Sequence, residues 1–306
     1  MRIVLFGQQA FGKDVFEKLR EAGEDIIAVS TPRLDGRSDP LAEAAAEVEL
    51  PNIETPSLRR DGPYQQYLDL QPELLVFAFV TDIVRKRVLE AATHGAIQYH
   101  PSLLPEHRGR TAMNWPIIEG KTKTGLTIFW VDEGIDTGPI LLQREVEILP
   151  DDTVGSLYFE RLYPMGIEAM VEGVRLVREG AAPRIEQDHD RASYDPPAGP
   201  EHGAVDWSRP GTVVHNHIRG CEPQPGAYAS LRGDAIRLFG SHFEPGHPGE
   251  QPGVVVDADG GGAVTVAAIG GTIRLGRVQT TGRKVPAVEL LSIGDRLERG
   301  EPPASD

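Results

Sequence analysis

Two side chains near the middle of the sequence are of types that move protons. They are His100, in QYHPSLLPEHRG, and Asp136, in the turn GIDTG. A histidine held beside a carboxylate can serve as a general acid–base pair. Between the two lies a strand-like run, GLTIFWV over 125–131, and ahead of them a deeply apolar one, LLVFAFV over 74–80. Loop residues at the ends of neighbouring buried strands converge in one crevice, the usual place for a site in an open α/β sheet. Taken alone the pair is weak evidence, because a loop histidine beside a proline is more often a satisfied structural residue. Two features favour chemistry. Gly134 and Gly138 flank the acid and let backbone approach a ligand closely. There is also no competing G-x-S-x-G elbow, HExxH helix or cysteine pair.

The elements that must position this pair follow in order. Residues 1–7 (MRIVLFG) read as a buried strand, 11–22 as an amphipathic helix and 25–31 as a second strand, which is the βαβ unit of a parallel sheet. The intervening GQQAFGK (7–13) has the spacing of a phosphate-binding P-loop. However, Asp14 stands where that loop needs a hydroxyl, so a tight strand-to-helix turn is expected instead. Residues 32–63 read as loop, helix (41–48), short strand and loop. A buried strand follows over 72–80, then a helix over 83–93 with Ile83, Val84, Val88 and Leu89 on one face, ended by Gly95. Residues 96–100 form a short strand that delivers His100. Residues 140–148 alternate as a strand, and 150–180 are helical, capped by Asp152 or Thr153 and stopped at Gly180. Pro, Gly, Asp and His accumulate without period over 181–209, as in a linker. A short helix (211–219) and five β-like runs, AYASL, AIRLFG, GVVVDA, AVTVAA and TIRLGRVQ, then suggest a small barrel or sandwich. The expected division is 1–185, a linker over 186–205, and 206–306.

The bulk numbers agree with this organisation. A chain of 306 residues, 40% hydrophobic and 25% charged, has room for two domains with their own cores. A net charge of -15 argues against broad attraction to nucleic acid. A single cysteine, Cys221, excludes an internal disulfide and a cysteine-based metal cluster. No apolar run reaches about 18 residues, and the first strand begins without a signal-peptide pattern, so a cytoplasmic setting is expected.

In HPSLLPEHRG, DEGIDTG and LPDDTV the sequence resembles the enzymes that use 10-formyltetrahydrofolate. These include methionyl-tRNA, glycinamide ribonucleotide and sugar N-formyltransferases, and the hydrolase domain of 10-formyltetrahydrofolate dehydrogenase. FGQQAFG, DGRSDPL, YHPSLLPEHRG, Asn114-Trp115, IFWVDEGIDTG, LLQREVEILPDDTV, DW, HNHIRG and PGAY are most similar, in order, to that hydrolase domain. The resemblance implies a Rossmann-like catalytic domain followed by a small OB-like barrel. It implies that His100 stabilises a tetrahedral oxyanion, and that Asp136 orients His100, favours its charged form and relays the nucleophile's proton. It further implies that the folate lies against Phe79, Val80, Thr81 and Ile83 and against Val131, Asp132, Glu133 and Gly134, with no metal.

One position departs from the transferase pattern. Formyltransferases carry Asn two residues before the His, the compared hydrolase domains an apolar residue, and this chain Gln98. Gln keeps the amide donor but moves it out by one methylene, toward the oxyanion or toward a held water. Transfer to an amine is the expected reaction, with hydrolysis to formate and tetrahydrofolate as the alternative. A methionyl-tRNA acceptor and a non-catalytic folate-binding module are further alternatives. The tRNA is disfavoured because 10 Lys+Arg face 12 Asp+Glu from Ala204 onward, which leaves a small amine as the expected partner. No aldehyde-dehydrogenase region follows within the sequence, so that oxidation is not expected of it. His107, His215, His217, Trp115, Trp130 and Cys221 read as structural.

Overall fold

Alternation within the first strands explains why a sheet with two covered faces forms here. In the computed structural model, which describes residues 1–33 and 36–302, β1 (Arg2–Gly7) sends Ile3 and Leu5 into one apolar cluster and Val4 and Phe6 into another. Leu34 and Asp35, in the loop expected over 32–40, lie outside the described residues. α1 (Gln9–Glu21) buries Phe11, Val15, Phe16 and Leu19 on one face, and β2 (Asp25–Ser30) returns parallel to β1. α2 (Pro40–Glu47) starts with Asp39 as its cap, the carboxylate accepting from Leu41 N at 2.9 Å.

The polar stretch read as loop contains a helix, α3 (Asp61–Asp69). Its signal is weak because Gly62 and Pro63 occupy the first turn, where proline is tolerated, and Tyr67 is its only buried side chain. β3 (Leu74–Ala78) is buried throughout. The helix expected over 83–93 is corrected to one turn, α4 (Lys86–Leu89): Val88 is buried, but Ile83 is 79% exposed, so the apolar residues do not share a buried face.

β4 (Ala96–His100) is followed by α5 (Asn114–Ile118), β5 (Lys123–Trp130) and β6 (Ile140–Glu147). The sheet order is β2-β1-β3-β4-β5-β6; β2, β1, β3 and β4 run parallel, and β5 runs antiparallel to β4. This is a Rossmann-like α/β sheet. α6 (Val154–Leu157) opens with a Thr153–Ser156 capping box, and α7 (Tyr163–Arg178) ends before Gly180 at φ +67°.

α8 (Gly211–Gly220) precedes β7 (Ala227–Leu231), β8 (Asp234–Pro245), β9 (Val255–Ala258), β10 (Val264–Ala268), β11 (Gly271–Gln279), β12 (Val285–Pro286) and β13 (Leu297–Glu298). These strands form a curled antiparallel sheet of order β13-β7-β8-β11-β10-β9, with β12 on β11, around a core that includes Val214 and Ile218 of α8.

The chain divides into two compact units that interleave along the sequence. One comprises Met1–Arg108, Gly125–Glu145 and Arg161–Tyr194, and the other Gly109–Thr124, Val146–Glu160 and Asp195–Asp306. Among the described residues no helix is long and apolar enough to cross a membrane.

Candidate active site

Strand geometry places Gln98 and His100 together. Ile97 and Tyr99 of β4 enter one apolar cluster and Ala96 the opposite one, so residues 96, 98 and 100 share a face. On β5, Leu126, Ile128 and Trp130 belong with Ile97, which leaves Thr127 and Phe129 opposite His100 and Gln98. Thr127 ties down the loop after His100. Its Oγ1 donates to Ser102 O at 2.7 Å and accepts from Leu104 N at 3.1 Å and Gln143 Nε2 at 2.9 Å. Ser102 Oγ donates in turn to Glu106 O at 2.7 Å and His107 O at 3.3 Å. The loop so folded sets His107 O 2.8 Å from His100 Nε2. A carbonyl only accepts, so Nε2 carries a hydrogen and Nδ1 is the edge left for chemistry.

Asp136 meets that edge, with Oδ2 3.5 Å from His100 Nδ1. The approach requires the chain to double back. Because β5 is antiparallel, its end lies beside the start of β4, with Trp130 opposite Ile97 and Val131 N donating to Ala96 O at 2.9 Å. The loop is then closed by Trp130 N donating to Pro139 O at 2.8 Å. Both glycines are required by close packing: a Cβ on Gly138 would lie 1.7 Å from Trp130 O, and one on Gly134 2.0 Å from Thr137 Oγ1. Asp132 Oδ1 accepts from Gly134 N at 3.0 Å and Thr137 Oγ1 at 2.6 Å, an Asx turn inside the loop. Asp136 itself has φ +56°, a left-handed conformation costing about 1–3 kcal/mol in a non-glycine residue.

Gln98 Nε2 donates to Asp136 Oδ1 at 3.5 Å, so each carboxylate oxygen faces one nitrogen of β4. Both contacts sit at the outer limit of hydrogen bonding, as catalytic contacts often do until a reacting group completes them. His100 is 4% and Asp136 8% exposed. A buried proton donor and acceptor aimed at each other can stabilise negative charge on a carbonyl oxygen and pass a proton.

The residues expected to hold a folate lie on two loops. Phe79 leaves β3 at φ +63° and is 41% exposed, strain in an aromatic residue facing solvent. Thr81 Oγ1 donates to Gln8 Oε1 at 3.4 Å. Val80 and Val131 pack on the same apolar cluster, and the exposed Glu133 pairs with Lys86, so the two loops are tied to each other. Asp132 and Gly134 form the turn already described. Ile83 stands out in solvent.

The phosphate-loop resemblance dissolves. Lys13 pairs with Glu17 at 3.5 Å, and Asp14 Oδ2 accepts from Tyr163 OH at 2.6 Å. Trp130 is buried with its N–H on Pro183 O at 2.8 Å, and burial pushes the Cys221 thiol up to about 12. Four polar side chains near the pair went unread in the sequence: Thr127, Arg108 and Gln187, which are buried, and Gln143, which is exposed. Thr127 and Gln143 had a signal in the strands that carry them; the other two are contacts made by folding.

A sheet with helices on its faces and a buried His–Asp pair at the end of a central strand define an α/β fold with a candidate acid–base site. The chain belongs to the formyl transferase family: residues 1–174 match formyl transferase and 198–293 the formyl transferase C-terminal domain. It is 41% identical over 265 residues to the cytosolic 10-formyltetrahydrofolate dehydrogenase of Xenopus tropicalis, covering 83% of this chain and 29% of that protein's length. It is 33% identical over 307 residues to the methionyl-tRNA formyltransferase of Bacillus cytotoxicus, covering 98% of both. HypX from Aquifex aeolicus, solved in complex with tetrahydrofolic acid, superposes with a TM-score of 0.67 over 95% of this chain and 47% of that one. At 18% identity that likeness is one of fold.

Proposed function

We propose that this enzyme moves a formyl group from N10 of 10-formyltetrahydrofolate to a small amine, in the cytoplasm. The observation that carries this reading is that His100 Nδ1 and Gln98 Nε2 face the two oxygens of one buried carboxylate, Asp136. The pterin rests on the loops bearing Phe79, Val80, Thr81 and Ile83 and Val131, Asp132, Glu133 and Gly134, which puts the formyl group beside His100. All these residues lie within 1–185, the proposed catalytic domain, with 186–205 as linker and 206–306 as the second domain.

The amine nitrogen attacks the formyl carbon, and the carbonyl electron pair becomes a tetrahedral oxyanion. His100, held through Nε2 and protonated on Nδ1, donates to that oxygen, with the Gln98 amide as second donor; one such donor contributes about 3 kcal/mol. Asp136 takes the proton released by the attacking nitrogen. As the C–N10 bond breaks, that proton passes to N10, and tetrahydrofolate and the N-formyl product leave. Polar pairing and proton transfer suffice for each step.

A second reading replaces the amine by water, which Gln98 positions, and yields formate. The 41% identity to the dehydrogenase favours it. Methionyl-tRNA as acceptor is supported by the match to the Bacillus enzyme and opposed by the balance of 10 Lys+Arg against 12 Asp+Glu from Ala204 onward. The test is tetrahydrofolate release from 10-formyltetrahydrofolate with no acceptor, with primary amines including amino sugars, and with methionyl-tRNA. Release that depends on one amine supports the transferase. Steady release in buffer alone selects the hydrolase. No release under any condition overturns both.

A further inference from the structure

Asp136 is held in its left-handed conformation by a buried side chain far along the sequence. Gln187 Nε2 donates to Asp136 O at 3.0 Å and to Gly138 O at 2.7 Å. Its Oε1 accepts from Arg108 Nε at 3.3 Å and Nη2 at 2.7 Å. Two N–H donors and two acceptor sites are thus all used, and the amide orientation is forced. The flipped amide would set an oxygen against two carbonyls and an NH2 against a guanidinium. Gln187 is 5% and Arg108 2% exposed. Arg108 Nη1 also donates to Tyr194 OH at 2.8 Å, and Nη2 lies 3.1 Å from His189 Nδ1.

The same arginine adjoins the other half of the pair. It follows His107, whose carbonyl meets His100 Nε2 at 2.8 Å. The backbone at 107–108 is itself anchored, with His107 N donating to Ser193 Oγ at 2.7 Å and Arg108 N to Ser193 O at 2.9 Å. A chain of contacts therefore runs from His100 through 107–108 and the Arg108 guanidinium to the Gln187 amide and the Asp136 backbone.

We infer that Gln187 and Arg108 are positioning residues that set the His100–Asp136 separation for formyl transfer. The inference rests on the reading under Proposed function for the reaction it serves, though not for its geometry. Misplacing a catalytic group by about 1 Å costs up to about 100-fold in rate, which makes the 3.5 Å gap between Nδ1 and Oδ2 the quantity to protect.

Gln187→Glu is the informative change. A carboxylate keeps, and strengthens, the pairing with Arg108 but removes both donors to Asp136 O and Gly138 O and sets oxygens against them. Two readouts are made on the full chain: steady-state tetrahydrofolate release, expressed per folate-binding site, and amide hydrogen exchange across 132–140. The expected result is a kcat lower by about 10- to 100-fold with KM for the folate within about twofold, and faster exchange over 132–140. Arg108→Lys, which keeps the charge but loses the two-pronged contact, should lower kcat less. Unchanged kcat and exchange in Gln187→Glu overturn the inference, and so does a variant that fails to fold, which would make Gln187 part of the scaffold. If the wild type itself releases no tetrahydrofolate, the functional reading falls, while the exchange measurement still decides the positioning role.

Discussion

His100 and His215 are both buried and both stand near an aspartate, and they are held in different ways. In the second unit, His215 is closed on both sides. Its Nδ1 lies 2.9 Å from Ser241 Oγ and its Nε2 3.0 Å from Pro150 O, with Asp151 Oδ1 farther away at 3.7 Å. Burial holds it below its ordinary value of 6.5, and the neighbouring Arg219 and His242 push the same way, against Pro150 O and Asp151. His215 staples α8 to β8 and to the chain at Pro150. In the first unit, His100 is closed at Nε2 alone. Its Nδ1 faces Asp136 across 3.5 Å, Asp136 is in a strained conformation, and the aspartate's loop bears exposed apolar residues such as Ile135. Burial and an acidic neighbour are common to both histidines; what sets His100 apart, and supports the proposed role, is a nitrogen left without a full-strength partner.

The two histidines should behave differently under mutation. His100→Ala and Asp136→Asn should each lower kcat by about 100- to 10,000-fold, with folate affinity measured by calorimetry within about threefold of wild type. His215→Ala should leave kcat per folded molecule within about twofold and cost about 1–3 kcal/mol in urea unfolding. Reversal of these two outcomes would place the chemistry elsewhere.

Gln98 tests the proposed site at its second donor. Gln98→Leu removes one donor and should lower acceptor-dependent release by about tenfold, less than loss of His100. If water is the nucleophile, the same change should instead lower acceptor-independent release.

His215 should show itself in the pH dependence of stability. His215 stays neutral when folded below the pH at which its unfolded form protonates, so the unfolded chain binds more protons in that window. Stability is therefore full above about pH 6.5 and is lost as pH falls from there toward the depressed folded value. His217, depressed first by its own burial, adds in the same direction. Urea midpoints at descending pH should show the loss, and His215→Gln should shrink it. The smallest effect concerns Cys221. With its thiol pushed up to about 12, it should react with an aromatic disulfide only after denaturation, releasing one equivalent per chain.

Much of the scaffold was legible from local pattern. Apolar runs at 1–7, 25–31 and 74–80 could only be buried strands, and Gly180 and Thr153 marked helix ends through caps that depend on adjacent residues. Even the shared face of Gln98 and His100 follows from a spacing of two in a strand. Two elements misled for local reasons. α3 hid behind Gly62 and Pro63, and the apolar residues at 83–89 suggested a long helix that the open loop after Phe79 does not build.

The sequence named the side chains on which the proposed chemistry rests through the resemblance carried by HPSLLPEHRG and DEGIDTG, while strand periodicity set Gln98 and His100 on one face. Tertiary structure decided how they meet. The antiparallel β5 carries the chain to the wrong end of β4, and the returning loop is held by Gln187, 51 residues beyond Asp136, in a stretch that has no period to read. A contact of that kind depends on one amide filling four hydrogen-bonding positions at once, and nothing in the residues next to Gln187 specifies which groups will come to it.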